Sequence, residues 1–310
     1  MIPSTTASSQ ATPIGRITED YTSYLRQQRN LSDATVVGYL PFIRHFLMDR
    51  FGPGPIDFSA LCAADVIGFI SRQAARLIAK RAKTATSALR SFLGYLRYRG
   101  EIQCDLAAVV PTVPIWSMTG IPRAIATSDA NSALAHCRRD TPVGCRDYAI
   151  LLLLARLGLR AGEIVSLTLD SINWAAGSLT VTGKRGQPEL LPLPSDVGEA
   201  IANYLQRGRP KSGHRALFLR AQAPVCGFNG PSAISCVVRH ALERAGIDSP
   251  RKGAHQFRHA LACQMLRQGA TLIEIGALLR HRSPQTTAIY AKVDLGALRT
   301  LSLPWPGGAL

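Results

Sequence analysis

His255–Tyr290 reads HQFRHALACQMLRQGATLIEIGALLRHRSPQTTAIY, and the rest of the chain is best understood outward from it. His255 and Arg258 stand three positions apart, so on a helix both project from one face. Thr271, with Glu274 three residues on, forms a capping box that starts a helix over Thr271–Leu279. A second imidazole, His281, precedes Ser283-Pro284, which reads as an N-cap followed by proline at the first helical position. The short helix started there carries Tyr290. An arginine, two imidazoles and a phenol thus share one compact helical segment. Glu274 is the sole acidic residue between His255 and Tyr290, and the capping box accounts for it.

The 310 residues suit one large or two ordinary domains, and a hydrophobic content of 46% supports buried cores. Lys and Arg number 36 against 20 acidic residues, a formal charge of +16, which points to an anionic partner, nucleic acid first and acidic membrane second. The seven cysteines are scattered with no C-x-x-C pair, which predicts reduced thiols in a cytoplasmic protein. The start, MIPSTTASSQATPIG, lacks the charge and apolar core of a secretory signal. The most apolar run, Ala149–Leu154, is too short to span a bilayer.

Residues 1–13 read as a flexible N-terminus, followed by helical patterning through Ile14, Ile17, Tyr21 and Leu25. Ser32 caps a second helix, with Pro41 a candidate kink. A third helix is expected over Ala64–Arg72 and a fourth up to Arg99, closed by Gly100. Eight Lys/Arg and no acidic residue lie between Arg72 and Arg99, with Leu77, Ile78, Leu89, Phe92, Leu93 and Leu96 forming the packed face. A solvated face is the bland reading. The unbroken cationic block instead favours phosphate contact through Arg72, Arg76, Lys80, Arg81, Lys83 and Arg90. Residues 14–105 therefore read as a helical DNA-gripping domain. Pro111, Pro114 and Pro122 mark a linker over 106–125. A second domain over 126–293 opens with Ser128 as a cap, then a helix over Arg146–Leu157 closed by Gly158. Ser178–Thr182 and Glu189–Leu193 form a hairpin around GKRG, and helices follow at Ser195–Arg207, Ser232–Ala245 and His255–Gln268. Residues 294–310 are a tail.

If Arg160, Lys184, His255, Arg258, His281 and Tyr290 converge, they can perform phosphoryl transfer. Two guanidiniums match the non-bridging oxygens of a phosphodiester and stabilise the charge that builds in its pentavalent transition state. A phenol with a pKa of about 10 needs a neighbouring base or cationic field, which His255 and the arginines supply. Lys184, on the hairpin tip, can protonate the expelled 5′-oxygen. A nuclease dependent on Mg²⁺ needs clustered carboxylates, which this segment lacks. Singly, each residue has a duller explanation; Arg160, for instance, could cap a helix C-terminus.

The order of these residues resembles the tyrosine recombinase/phage integrase family. LGLRAGEI resembles its first arginine box, with Glu163 as the acidic companion of Arg160; HQFRHALA resembles the H-x-x-R box; LLRHRSPQTTAIYAKV resembles the last box; and TGKRGQPELLPLP resembles the lysine hairpin. The resemblance covers about Ile14 to Val293. It implies a mainly α fold with a small antiparallel β-sheet in the catalytic domain, built as a two-domain C-shaped clamp with a SAM-like helical N-terminal domain. It further implies a site-specific recombinase/integrase of Xer-like or mobile-element type, working through a 3′-phosphotyrosine at Tyr290 without metal or ATP. Its partner is double-stranded DNA carrying recombination sites, engaged by a homo-tetramer or a hetero-tetramer with related recombinases, and its place is the bacterial cytoplasm beside the nucleoid. The tail would pack on a neighbouring protomer. Arg280 stands where the family commonly has Gly, which suggests an added phosphate contact. Two alternatives remain open at this point, a type IB topoisomerase-like enzyme and a catalytically silent DNA-binding regulator.

Overall fold

The computed structural model describes residues 12–74, 76–113, 124–183, 187–249, 252–281 and 283–293. The chain divides into two compact units, 1–117 and 118–310.

In the first unit, Thr12 accepts the Gly15 amide (3.1 Å) and Pro13 opens α1 (Pro13–Gln27). Ser32 precedes α2 (Asp33–Phe51), but its hydroxyl meets Thr35 Oγ1 (3.0 Å) instead of an orphan amide, and the helix continues through Pro41. α3 (Ala63–Ala74) and α4 (Ala79–Tyr98) follow. Because α4 starts only at Ala79, Ile78 is its cap and stands 71% exposed rather than joining the packed face as the pattern suggested. Leu89, Phe92, Leu93 and Leu96 of α4 meet Tyr21, Val36, Ile43, Phe46 and Phe69 in one core. Asp105 then caps a single turn, α5 (Leu106–Val109), and Leu106 and Val110 fold back into that core. The start of the proline-marked linker is therefore ordered against the first unit.

The second unit is built around α7 (Pro142–Leu157), whose residues from Ala149 to Leu154 are at most 2% exposed. On it pack α6 (Thr127–Ala135), α8 (Ala161–Ser166), α9 (Ser195–Asn203), α10 (Pro231–Arg244) and α11 (His255–Arg267). A helix hydrophobic nearly all round must be buried on all sides, and this hub position satisfies the apolar run that the sequence showed. Strands β1 (Ile172–Asn173), β2 (Ser178–Thr182) and β3 (Pro188–Pro192) form an antiparallel sheet in that order, with Leu179 opposite Leu191 and Val181 opposite Glu189. Several helix boundaries differ from the sequence reading: α7, expected from Arg146, starts at Pro142, where Thr141 accepts the Gly144 amide (3.1 Å). Thr127 opens α6, so Ser128 lies within its first turn and caps nothing. The helix from Ser195 stays regular only to Asn203 and ends in a wider turn over Tyr204–Gly208. There the backbones press together: a Cβ on Gly208 would sit 2.8 Å from the Pro142 carbonyl oxygen. α12 (Leu272–Leu278) and α13 (Pro284–Ala288) complete the unit, followed by a 3₁₀ turn over Ile289–Val293. All seven cysteines are free thiols. Among the described residues, no helix is long and apolar enough to cross a membrane.

Candidate active site

The site forms around the C-terminal end of α12, where helix geometry leaves carbonyls without partners. The helix closes in a Schellman turn: the Arg280 amide donates to Ala277 O (3.0 Å) and the His281 amide to Gly276 O (2.9 Å). Three guanidiniums take the next carbonyls. Arg280 Nη1 donates to Leu278 O (3.2 Å), Arg258 Nη2 to Leu279 O, and Arg160 Nη2 to Arg280 O (3.2 Å). The negative end of a helix thus organises three cations. Arg258 Nη1 also donates to Gly158 O. Gly158 ends α7 in the left-handed region (φ 55°), and a Cβ there would lie 2.7 Å from Leu279 Cδ2, so glycine permits both the turn and the close approach. Arg258 is 3% exposed. Burial, with Arg160 and Arg280 nearby, pulls its pKa down to about 10, still leaving it protonated at neutral pH.

Arg160 is the N-cap of α8, not a cap on the preceding helix. Its backbone amide donates to Glu163 Oε2 (2.8 Å) and its Nη1 to Glu163 Oε1 (2.6 Å). Burial works to raise the Glu163 carboxyl, but the Arg160 amide and the Arg280 and Arg160 guanidiniums together hold it below its ordinary value. Arg280 occupies the other side of that carboxylate, Nη2 to Oε2 at 2.8 Å, with only 7% of its side chain exposed. Its Nε lies 3.4 Å from Glu189 Oε2 on β3, close enough for attraction, though it makes no hydrogen bond. The expected direct phosphate contact by Arg280 does not fit this geometry: the guanidinium is buried and spent on Glu163. It also holds φ at 54°, the position where a Schellman turn ordinarily takes glycine.

His255 begins α11 and is exposed; His259 follows one turn later, the two rings 6.4 Å apart. Tyr290 lies in the 3₁₀ turn after α13, not within the helix started by Ser283-Pro284, and is 1% exposed. Its hydroxyl meets His259 Nδ1 at 2.8 Å. The base expected beside the phenol was His255; the structure puts His259 there. His281 lies parallel to the phenol ring (centroids 6.4 Å, 4°), and its Nδ1 bonds Thr287 Oγ1 (2.7 Å). Burial pushes the Tyr290 phenol up to about 12 against the pull of Arg258. Burial, then His255 and Arg258, lowers the His259 pKa. Burial, then Arg258 and Arg160, lowers that of His281 to about 4. Lys184 lies outside the described residues. His259 went unread in the sequence, although it stands four residues after His255 on the same helix face. No spacing rule says which imidazole meets a phenol 31 residues away.

In the first unit the cationic block divides. Arg72 pairs with Asp49 (2.5 Å), Arg97 with Asp105 (2.8 Å), and Arg90 donates to Val110 O (2.7 Å). Arg81 lies over the Phe42 ring at 6.0 Å. Arg76, Lys80 and Lys83 are exposed, with no acidic partner among the described residues. Arg90, half-buried and holding the end of α5 in place, does not fit the expected phosphate contact. Among the described residues no cluster of His, Cys, Asp or Glu could hold a metal ion.

Residues 123–295 match the phage integrase family, and residues 18–100 match the phage integrase N-terminal SAM-like domain. A Sinorhizobium fredii protein named as an integrase/recombinase, y4rA, is 58% identical over 289 residues, 93% of this chain and 70% of its own. The XerH site-specific recombinase bound to palindromic difH in a post-cleavage complex shares the fold with a TM-score of 0.69, at 16% identity over 92% of this chain and 83% of that one. A lambda integrase tetramer bound to a Holliday junction gives a TM-score of 0.63, at 15% identity over 90% and 80% of the two chains. With more than half of its residues matched by the family, and with a relative 58% identical over 93% of this chain, the chain belongs to the phage integrase family of tyrosine recombinases, whose members are DNA strand-transferring enzymes.

Proposed function

We propose that this chain is a site-specific DNA recombinase in which Tyr290 attacks a phosphodiester, leaving a 3′-phosphotyrosine and a free 5′-hydroxyl. The observation that carries the proposal is one cluster of a phenol, three imidazoles and two guanidiniums, gathered from four separate segments around the end of α12. Arg160, with 38% of its side chain exposed, presents its remaining donors outward. Arg258 keeps donors beyond those it gives to two carbonyls. Both remain charged and pre-oriented where negative charge develops, the arrangement that most lowers such a barrier. Attack by a side chain keeps the phosphodiester energy in the covalent link, so the strand is rejoined without ATP, and the arginines supply the charge stabilisation that a metal would otherwise give. Lys184 is the proposed donor of the proton that the 5′-oxygen needs.

The partner is double-stranded DNA, as the solved XerH complex supports, and the working assembly is four protomers, as the lambda integrase complex on a Holliday junction supports. Service to a mobile element is part of the proposal, in keeping with the integrase/recombinase name that y4rA carries. A duplex enriched from a randomised pool by binding to the protein, then rebuilt with a nick beside the cleavage position, will trap a covalent protein–DNA adduct. Tyr290→Phe will abolish the adduct and retain binding. A protein that binds the enriched duplex but never forms the adduct would refute strand transfer by this chain.

A further inference from the structure

We infer that His259 is the base that takes the Tyr290 proton as the phenol attacks phosphorus. The inference deepens the recombinase reading and rests on it. Tyr290 Oη and His259 Nδ1 lie 2.8 Å apart, the phenol buried and the imidazole half-buried. A phenol held near 12 is protonated at neutral pH and must be the donor, so Nδ1 is the acceptor and the neutral imidazole carries its own proton on Nε2. The other two imidazoles are placed differently. His281 faces the phenol ring in parallel, not its hydroxyl, and Thr287 occupies its Nδ1. His255 lies one turn earlier on α11, its ring 6.4 Å from that of His259, whereas the His259 ring is 5.7 Å from the phenol and meets its hydroxyl.

The step balances. An Oη lone pair forms the bond to phosphorus, the Oη–H bond breaks, and its proton moves to Nδ1. The bond from phosphorus to the 5′-oxygen breaks, and that oxygen takes a proton from the proposed donor, Lys184. Religation runs the transfers backwards, with the imidazolium returning its proton to Oη. With His259 held below its ordinary basicity by burial and by His255 and Arg258, transfer ahead of attack is strongly uphill. The proton therefore moves as the new bond forms and the phenol becomes acidic, and the negative phosphate drawn to the arginines raises the basicity of His259 at that moment.

The test uses the full chain and the enriched nicked duplex in two versions, an ordinary phosphodiester and a bridging 5′-phosphorothiolate whose thiolate leaves without protonation. His259→Asn keeps an acceptor near the Nδ1 position without a basic nitrogen; His259→Ala removes both. We expect single-turnover adduct formation to fall about 10²–10⁴-fold in His259→Asn, the usual span for a lost general base. Duplex affinity should stay unchanged. The phosphorothiolate should leave the His259→Asn defect in place while rescuing Lys184→Ala. A wild-type rate in His259→Asn, its rescue by phosphorothiolate, or a faster His259→Ala would each overturn the assignment. If wild type forms adduct and any of these three results follows, only the role of His259 falls; if wild type forms none, the recombinase reading falls with it.

Discussion

Substituting Arg280 sets two energies of opposite sign against each other. The residue sits at φ 54°, where an L side chain costs roughly 1–2 kcal/mol relative to glycine. Against that, its guanidinium gives Glu163 a buried charge-assisted bond at 2.8 Å, a class of interaction that contributes about 1.5–3 kcal/mol. Arg280→Ala loses the pair and keeps the left-handed backbone, so the catalytic unit should lose about 1.5–3 kcal/mol. It should lose less than the roughly 3–5 kcal/mol of a stripped buried charge, because Arg160 still pairs with Glu163. Arg280→Gly relieves the backbone as well and should recover roughly 1 kcal/mol of that loss. Urea unfolding followed by Trp174 fluorescence, with Trp116 and Trp305 replaced by Phe, reports on the catalytic unit. If Arg280→Ala equals or exceeds wild type, the buried pair contributes nothing net. If the Gly and Ala variants coincide, the backbone carries no strain.

The other predictions concern pH and salt. In the unfolded chain His281 binds a proton near the ordinary value of about 6.5, whereas in the fold it resists protonation until about pH 4. The native state thus binds fewer protons between these values, so stability of the catalytic unit should decline as pH falls through that window. His259 acts in the same direction. His281→Asn should flatten the decline, measured as urea midpoints at stepped pH, and an unchanged profile would remove His281 as its source. Glu163 acts lower down: its depressed pKa contributes stability that is complete above the unfolded carboxylate value of about 4.3 and is lost as pH falls through the folded value. On DNA, replacing Arg76, Lys80 and Lys83 together with Gln should flatten the slope of log affinity against log salt by about 0.9 for each phosphate no longer neutralised. An unchanged slope would take this surface out of the interface. Arg90→Gln should instead lower the stability of the first unit, since its side chain holds Val110 O.

Much of this architecture could be read along the chain because its signals are local. Thr271 with Glu274, and Ser283-Pro284, mark helix starts through neighbouring backbone geometry. The run over Ala149–Leu154 announces burial by composition, and Ser178–Thr182 announces a strand by alternation. The H-x-x-R spacing and the downstream His and Tyr identified the chemistry because reactive residue types in a fixed order are themselves sequence information. Pairings across long separations were a different matter. Arg280 looked like a free cation, but Glu163, 117 residues earlier, consumes it. Arg90 looked like part of a cationic face, but it is tied to Val110. Tyr290 looked as if it awaited His255, but His259 holds its hydroxyl. Helix starts, strand alternation and residue order depend on groups within a few positions of each other, so the chain's own order carries them. The partner of a buried charge or hydroxyl depends on which distant donor packing brings within about 3 Å, and that is settled only when the helices close around α7 and the end of α12.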